Sequence, residues 1–166
     1  MKSTKKIALL GMGIALYVVL GMTLNIPLIA HIKTDLGYIA FGFMLYYLGW
    51  QAFVVGVIGC FLESLIMSGW VPFGWMLGQA FIGITCGITY KKIKFTWVNI
   101  IITILTVFIG VALIKTGIEC VLYDIPFIIK FPKNLIAFIA DTIPMIVGYV
   151  LAKTTKIKFL TDTKGE

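Results

Sequence analysis

Long apolar runs at 7–24, 36–68, 73–90, 95–114 and 133–152 alternate with short polar clusters along this chain. About 20 apolar residues make a helix long enough to cross ~30 Å of hydrocarbon, so the pattern predicts transmembrane helices. The second run is too long for one crossing: its 33 residues would reach about 50 Å at ~1.5 Å per residue. A reversal near Gly49 and Gln51 divides it, leaving a short helix over Leu36–Leu48. The expected fold class is therefore an all-α membrane protein, a compact bundle of six transmembrane helices in a single domain over 1–166.

Composition agrees with the pattern. With 60% hydrophobic and 13% charged residues and a mean hydropathy of +1.04, a water-soluble fold of this size could not cover its apolar surface. The opening "MKSTKKIALLGMGIALYVVLG" has the lysines of a signal peptide, but the run from Ile7 to Leu24 is longer than a usual signal core. It also lacks an A-x-A-like cleavage site, which predicts a retained first span.

Charge sets the expected topology. The net charge of +7 comes from fourteen basic residues, all lysine, scattered in clusters between apolar runs. That distribution argues for membrane orientation and gives no reason to expect nucleic acid. Six helices with a cytoplasmic N-terminus put Lys2, Lys5, Lys6, Lys91, Lys92, Lys94, Lys153, Lys156, Lys158 and Lys164 inside, ten lysines against four outside. Five helices would split those clusters between the two faces, so both termini are predicted cytoplasmic. The outer connections are then 25–36, 69–79 and 115–134.

The unusual residues gather toward that outer face. Glu63 and Asp141 lie inside helices, where a charge at membrane depth costs roughly 2.5–3.5 kcal/mol unless a cavity or partner receives it. Lys115 and Glu119 are four apart and share a face on a continuing helix. Asn134 follows "FP" at the expected start of the last helix, placed to cap it or to reach a ligand. His31, Lys33, Asp35 and Tyr38 form the dense polar group of the first outer loop, and "GWVPFGWMLGQ" brings Trp70, Trp75 and Gln79 without any charge. Each has a plain structural alternative: a hydrogen bond between helices, a salt bridge, a solvated loop, or an aromatic belt.

Absences narrow the field. No P-loop, H-E-x-x-H or G-x-S-x-G motif occurs, and His31 is the single histidine. Cys60, Cys86 and Cys120 lie far apart, outside any C-x-x-C spacing. No catalytic residue, metal or cofactor is expected, and any pumping must draw its energy from another protein.

Together these features resemble the substrate-binding S components of energy-coupling factor (ECF) transporters, small bacterial membrane proteins that capture vitamins and related compounds. The resemblance runs over nearly the whole chain. Its residues are the lysine-led "KKIALLGMGIALYVVLGMTLNIPL", the loop "IKTDLGYIAFG", "GVIGCFLESLIMSGWVPFGWMLGQAFIGITCG" and "FPKNLIAFIADTIPMIVGYVLAK". It implies a lid formed by His31, Lys33, Asp35 and Tyr38, and a pocket wall of Glu63, Trp70, Trp75, Gln79, Lys115, Glu119, Asn134 and Asp141. It also implies that Ala8, Gly11 and Ala15 dock onto a transmembrane coupling subunit driven by two cytoplasmic ATPases, in a bacterial cell membrane. The implied ligand is a small, vitamin-like, heteroaromatic molecule. No motif matches one vitamin subgroup closely, although "KTD" has a faint similarity to riboflavin-type members. Two other classes stay open on the residues alone: a structural or assembly membrane protein without a ligand, and an autonomous proton-coupled transporter using Glu63 or Asp141 as a relay.

Overall fold

The computed structural model describes residues 3–23, 26–27 and 33–155. Its helices are α1 (Ser3–Thr23), α2 (Gly37–Leu48), α3 (Phe53–Ser68), α4 (Phe73–Lys92), α5 (Thr96–Val107), α6 (Thr116–Tyr123) and α7 (Phe127–Thr154). A four-residue 3-10 turn, Gly49–Ala52, links α2 to α3, and a π-helical segment, Phe108–Lys115, links α5 to α6. Among the described residues the structure is all-helical as expected, apart from a two-residue ladder, β1 (Ile26–Pro27) antiparallel to β2 (Lys33–Thr34).

The expected six-helix count needs correction. Among the described residues the chain forms five uninterrupted helical stretches, because α2, the 3-10 turn and α3 run on without an intervening loop. Four stretches are long and apolar enough to cross a membrane: Thr4–Thr23, Gly37–Ser68, Thr96–Tyr123 and Phe127–Thr154. The expected reversal inside the second stretch is nevertheless present. Gly13 of α1 packs against both Met44 and Val55, and Tyr17, one turn on, against both Gly37 and Gly59. So α2 and α3 run in opposite directions along α1. Gly49, at φ 65°, makes the reversal in a backbone conformation that a side chain would oppose.

Helix α4 supplies the spine. It buries Gln79 and the glycines Gly74, Gly78, Gly83 and Gly87, small residues that let neighbouring backbones approach closely. Helices α2 and α7 cross where Gly42 meets the Met145 carbonyl and Gly148 meets the Ile39 carbonyl; a Cβ at either glycine would collide with backbone. Beneath one end of the bundle, Tyr17, Tyr38 and Phe41 form an aromatic floor, with Tyr38 6.2 Å from both partners between ring centroids.

The long third outer connection is also corrected. Helical structure continues past Lys115 to Tyr123 and resumes at Phe127. Asp124, in the left-handed region at φ 51°, and Pro126, capping α7, confine the break to three residues, 124–126. Asn134 therefore sits about two turns inside α7 and cannot cap it.

Candidate functional site

A cavity of about 540 Å³ opens among α1, α3, α4, α6 and α7, close to the start of α2. Two chemically different walls line it.

The acidic wall begins with Tyr17, whose hydroxyl donates to Asp35 Oδ2 at 2.8 Å, while the Gly37 N–H donates to Asp35 Oδ1 at 2.7 Å. Gln79 stands behind, donating from Nε2 to the Tyr17 hydroxyl at 3.2 Å. Burial pushes the Asp35 carboxyl up to about 6, against the pull of its hydrogen bonds from Tyr17 and Gly37. Glu63 packs against Gly21 of α1. Asp141 completes the wall; it is 2% exposed, and its Oδ2 accepts no hydrogen bond among the described residues.

The basic wall is a paired network. Lys115, at the end of the π-helical segment, donates to Asn134 Oδ1 and lies 3.5 Å from Glu119 Oε1. Asn134 Nδ2 donates to the Thr116 hydroxyl at 2.8 Å and to Glu119 Oε2 at 3.5 Å, and Lys130 approaches Glu119 Oε2 at 3.3 Å. The Lys115 ammonium also sits 4.0 Å from the Trp75 ring centroid, a cation–π arrangement. Only 5% of Lys115 is exposed, so the network is what makes its burial tolerable. The wide π turn, a feature frequent at functional sites, brings Lys115 to the cavity.

Of the residues selected from sequence, Asp35, Glu63, Trp70, Trp75, Lys115, Glu119, Asn134 and Asp141 line the cavity. Tyr38 and Gln79 do not; both are buried behind its wall, Tyr38 in the aromatic floor and Gln79 against Tyr17. His31 lies outside the described residues, and Lys33 is described only as backbone of β2. Ala8, Gly11 and Ala15 are exposed on α1, while Leu9, Gly13 and Tyr17 face the bundle.

Sequence reasoning missed Tyr17, Cys60, Ser64, Met67, Ser68, Pro72, Lys130, Lys133 and Ala137. A signal for four of the wall positions was present. Lys130, Asn134, Ala137 and Asp141 follow an i, i+4, i+7, i+11 stripe once 127–154 is read as one helix.

A family model described as "ECF-type riboflavin transporter, S component" matches residues 1–157. A UPF0397 protein of Lactobacillus acidophilus is 28% identical over 173 residues, covering 94% of this chain and 92% of its own length. A UPF0397 protein of Streptococcus thermophilus is 28% identical over 95 residues, covering 57% of this chain and 52% of its own length.

Proposed function

The chain belongs to the ECF-type riboflavin transporter S component family, and from that premise we propose that it captures a small heteroaromatic, vitamin-like compound in the cavity beside Trp75 for ATP-driven import. The family is one of transporter subunits, not enzymes. The observation that carries the reading is the cavity itself: about 540 Å³, within the ~300–1,000 Å³ typical of small-ligand sites. One indole offers a stacking face, and polar groups converge on it from two sides.

The lysines support an orientation. Lys91 packs on Gly49, and Lys153 donates to the Lys94 carbonyl and to Thr96, so these lysines gather at the end of the bundle away from the cavity. Placing that end, with both termini, in the cytoplasm turns the cavity outward. The exposed small residues Ala8, Gly11 and Ala15 suit close docking of the transmembrane coupling subunit, itself driven by two cytoplasmic ATPases, in a bacterial cell membrane.

The test is co-expression with a coupling module in a vitamin-auxotrophic bacterium. Copurification with the module and ATP-dependent uptake of a heteroaromatic vitamin are the expected results. A folded protein that neither copurifies nor supports uptake across a vitamin panel would contradict the reading. Uptake that ignores ATP depletion and follows the proton gradient would favour an autonomous transporter.

A further inference from the structure

The two walls of the cavity are unequally satisfied. On the basic side the Glu119 carboxylate is held between Lys115 at 3.5 Å and Lys130 at 3.3 Å, so its charge is answered from within the protein. On the acidic side Asp35 is held by a tyrosine hydroxyl, a backbone N–H and the Glu63 carboxyl, and Asp141 takes a hydrogen bond from the Asp35 N–H, so among the described residues no cation donates a hydrogen bond to either acid. Asp141 is nine-tenths buried and more, lines the cavity, and leaves Oδ2 without a hydrogen bond among the described residues. A carboxylate in that position is costly until a donor or cation reaches it.

A metal ion does not fit the need. Among the described residues no group of three or more His, Cys, Asp or Glu side chains is arranged to hold one. An organic donor fits better, and α7 sets its length. Asn134 on the basic wall and Asp141 on the acidic wall are seven residues apart on α7, about 10 Å along the axis. A substituted ring lying against Trp75 can span that distance and present one end to each wall.

Resting on the proposed binding role, we propose that the ligand carries a cationic nitrogen group that docks against Asp141, Asp35 and Glu63 while its ring lies against Trp75. The site thereby selects an amine-bearing or positively charged heteroaromatic over a neutral one of the same ring. The Lys115, Asn134 and Lys130 wall faces the other end of the ligand and favours acceptor groups there.

The experiment uses two probes that share a ring and differ in one substituent: pyridoxamine, with a cationic aminomethyl group, and pyridoxine, with a neutral hydroxymethyl group. Riboflavin serves as a larger neutral probe. Each is titrated calorimetrically into the full chain in lipid nanodiscs. Pyridoxamine is expected to bind at least tenfold more tightly than pyridoxine, and Asp141→Asn to erase that ratio while still binding pyridoxine. Should Asp141→Asn fail to fold, Glu63→Gln is read in the same way and is expected to reduce the ratio. Equal affinity for the pair, tighter binding of riboflavin than of pyridoxamine, or a ratio that survives in the folded variant would overturn the assignment. Binding of none of the probes, with copurification and vitamin uptake intact, would overturn the cationic preference and leave the transport role standing; loss of copurification and uptake as well would overturn the underlying role.

Discussion

The two ends of the bundle bury polar side chains in different ways. At the end near Gly49, the Tyr90 and Thr103 hydroxyls share a hydrogen bond of 2.7 Å, and Thr103 donates to the Asn99 carbonyl at 2.7 Å. Asn99 in turn donates to the Tyr149 hydroxyl at 3.0 Å and to the Ile93 carbonyl at 2.8 Å. What is left over there, Asn99 Oδ1 and Gln51 Oε1, is neutral amide oxygen. At the cavity end the Tyr38 hydroxyl and Gln79 Oε1 are left over behind the wall, and so is a carboxyl oxygen of Asp141, which alone of these lies beside open volume. A neutral orphan costs about 1–3 kcal/mol, and a buried carboxyl would cost far more if ionised without a partner; beside open volume it can also meet a ligand. The closed network ties the helices together, and the open one is where the proposed ligand would sit.

The largest predicted effect breaks both ends together. Gly148→Leu puts a side chain into the Ile39 backbone at the crossing of α2 and α7, beyond the ~1–3 kcal/mol that ordinary overpacking costs. Fluorescence-detected size-exclusion chromatography is expected to show loss of the monodisperse protein.

Trp75→Ala separates the ends. Stacking of a heteroaromatic base on an aromatic side chain contributes roughly 1–3 kcal/mol, about fivefold to 150-fold in affinity. Calorimetric titration with the bound vitamin is expected to show a loss in that range with the melting temperature little changed. Trp70 is 46% exposed and rests 5.8 Å from the Tyr123 ring between centroids, so Trp70→Ala is expected to weaken binding less. Equal, negligible losses would assign both tryptophans to the aromatic belt.

The opposite dissociation comes from Tyr90→Phe, which removes a hydroxyl from the closed network. A stability loss of about 1 kcal/mol, with unchanged ligand affinity, is the expected outcome in chemical denaturation and titration.

The smallest effect is a pH dependence centred on Asp35, which faces Tyr17 of α1, Glu63 of α3 and Asp141 of α7. Its carboxyl is raised from 3.8 to about 6, so the stability it contributes is full below about 3.8 and is lost as pH rises through about 6. Ligand-free protein is expected to be somewhat more stable at about pH 5 than at about pH 7.5. Affinity for a cationic probe should run the other way, falling a few-fold on acidification as Asp35 gains its proton.

Much of the helical framework was legible because apolar run length is a direct reading of hydrocarbon thickness. The reversal at Gly49 was legible from the excess length of the second run, yet not that its tight turn is a 3-10 segment that keeps the helical stretch continuous. The third connection was drawn too long, at 115–134: the Lys115–Glu119 pair on a continuing helix was legible, but not that Lys130 joins it from the far side of a three-residue break. Seven of the eight selected wall residues and Asp35 of the expected lid line the cavity, since charged, amide and indole groups are conspicuous in an apolar chain. Tyr17 was not selected because a tyrosine in an apolar helix looks like packing until Asp35 is brought to its hydroxyl.

The central claim is that the cavity beside Trp75 holds the transported compound. Mass spectrometry of the material released on denaturing gently purified protein tests it most directly, with wild type and Trp75→Ala compared at equal folded amount. The account predicts a heteroaromatic compound released from wild type and depleted in the variant. Equal release from both, or release of no small molecule from wild type, would contradict it.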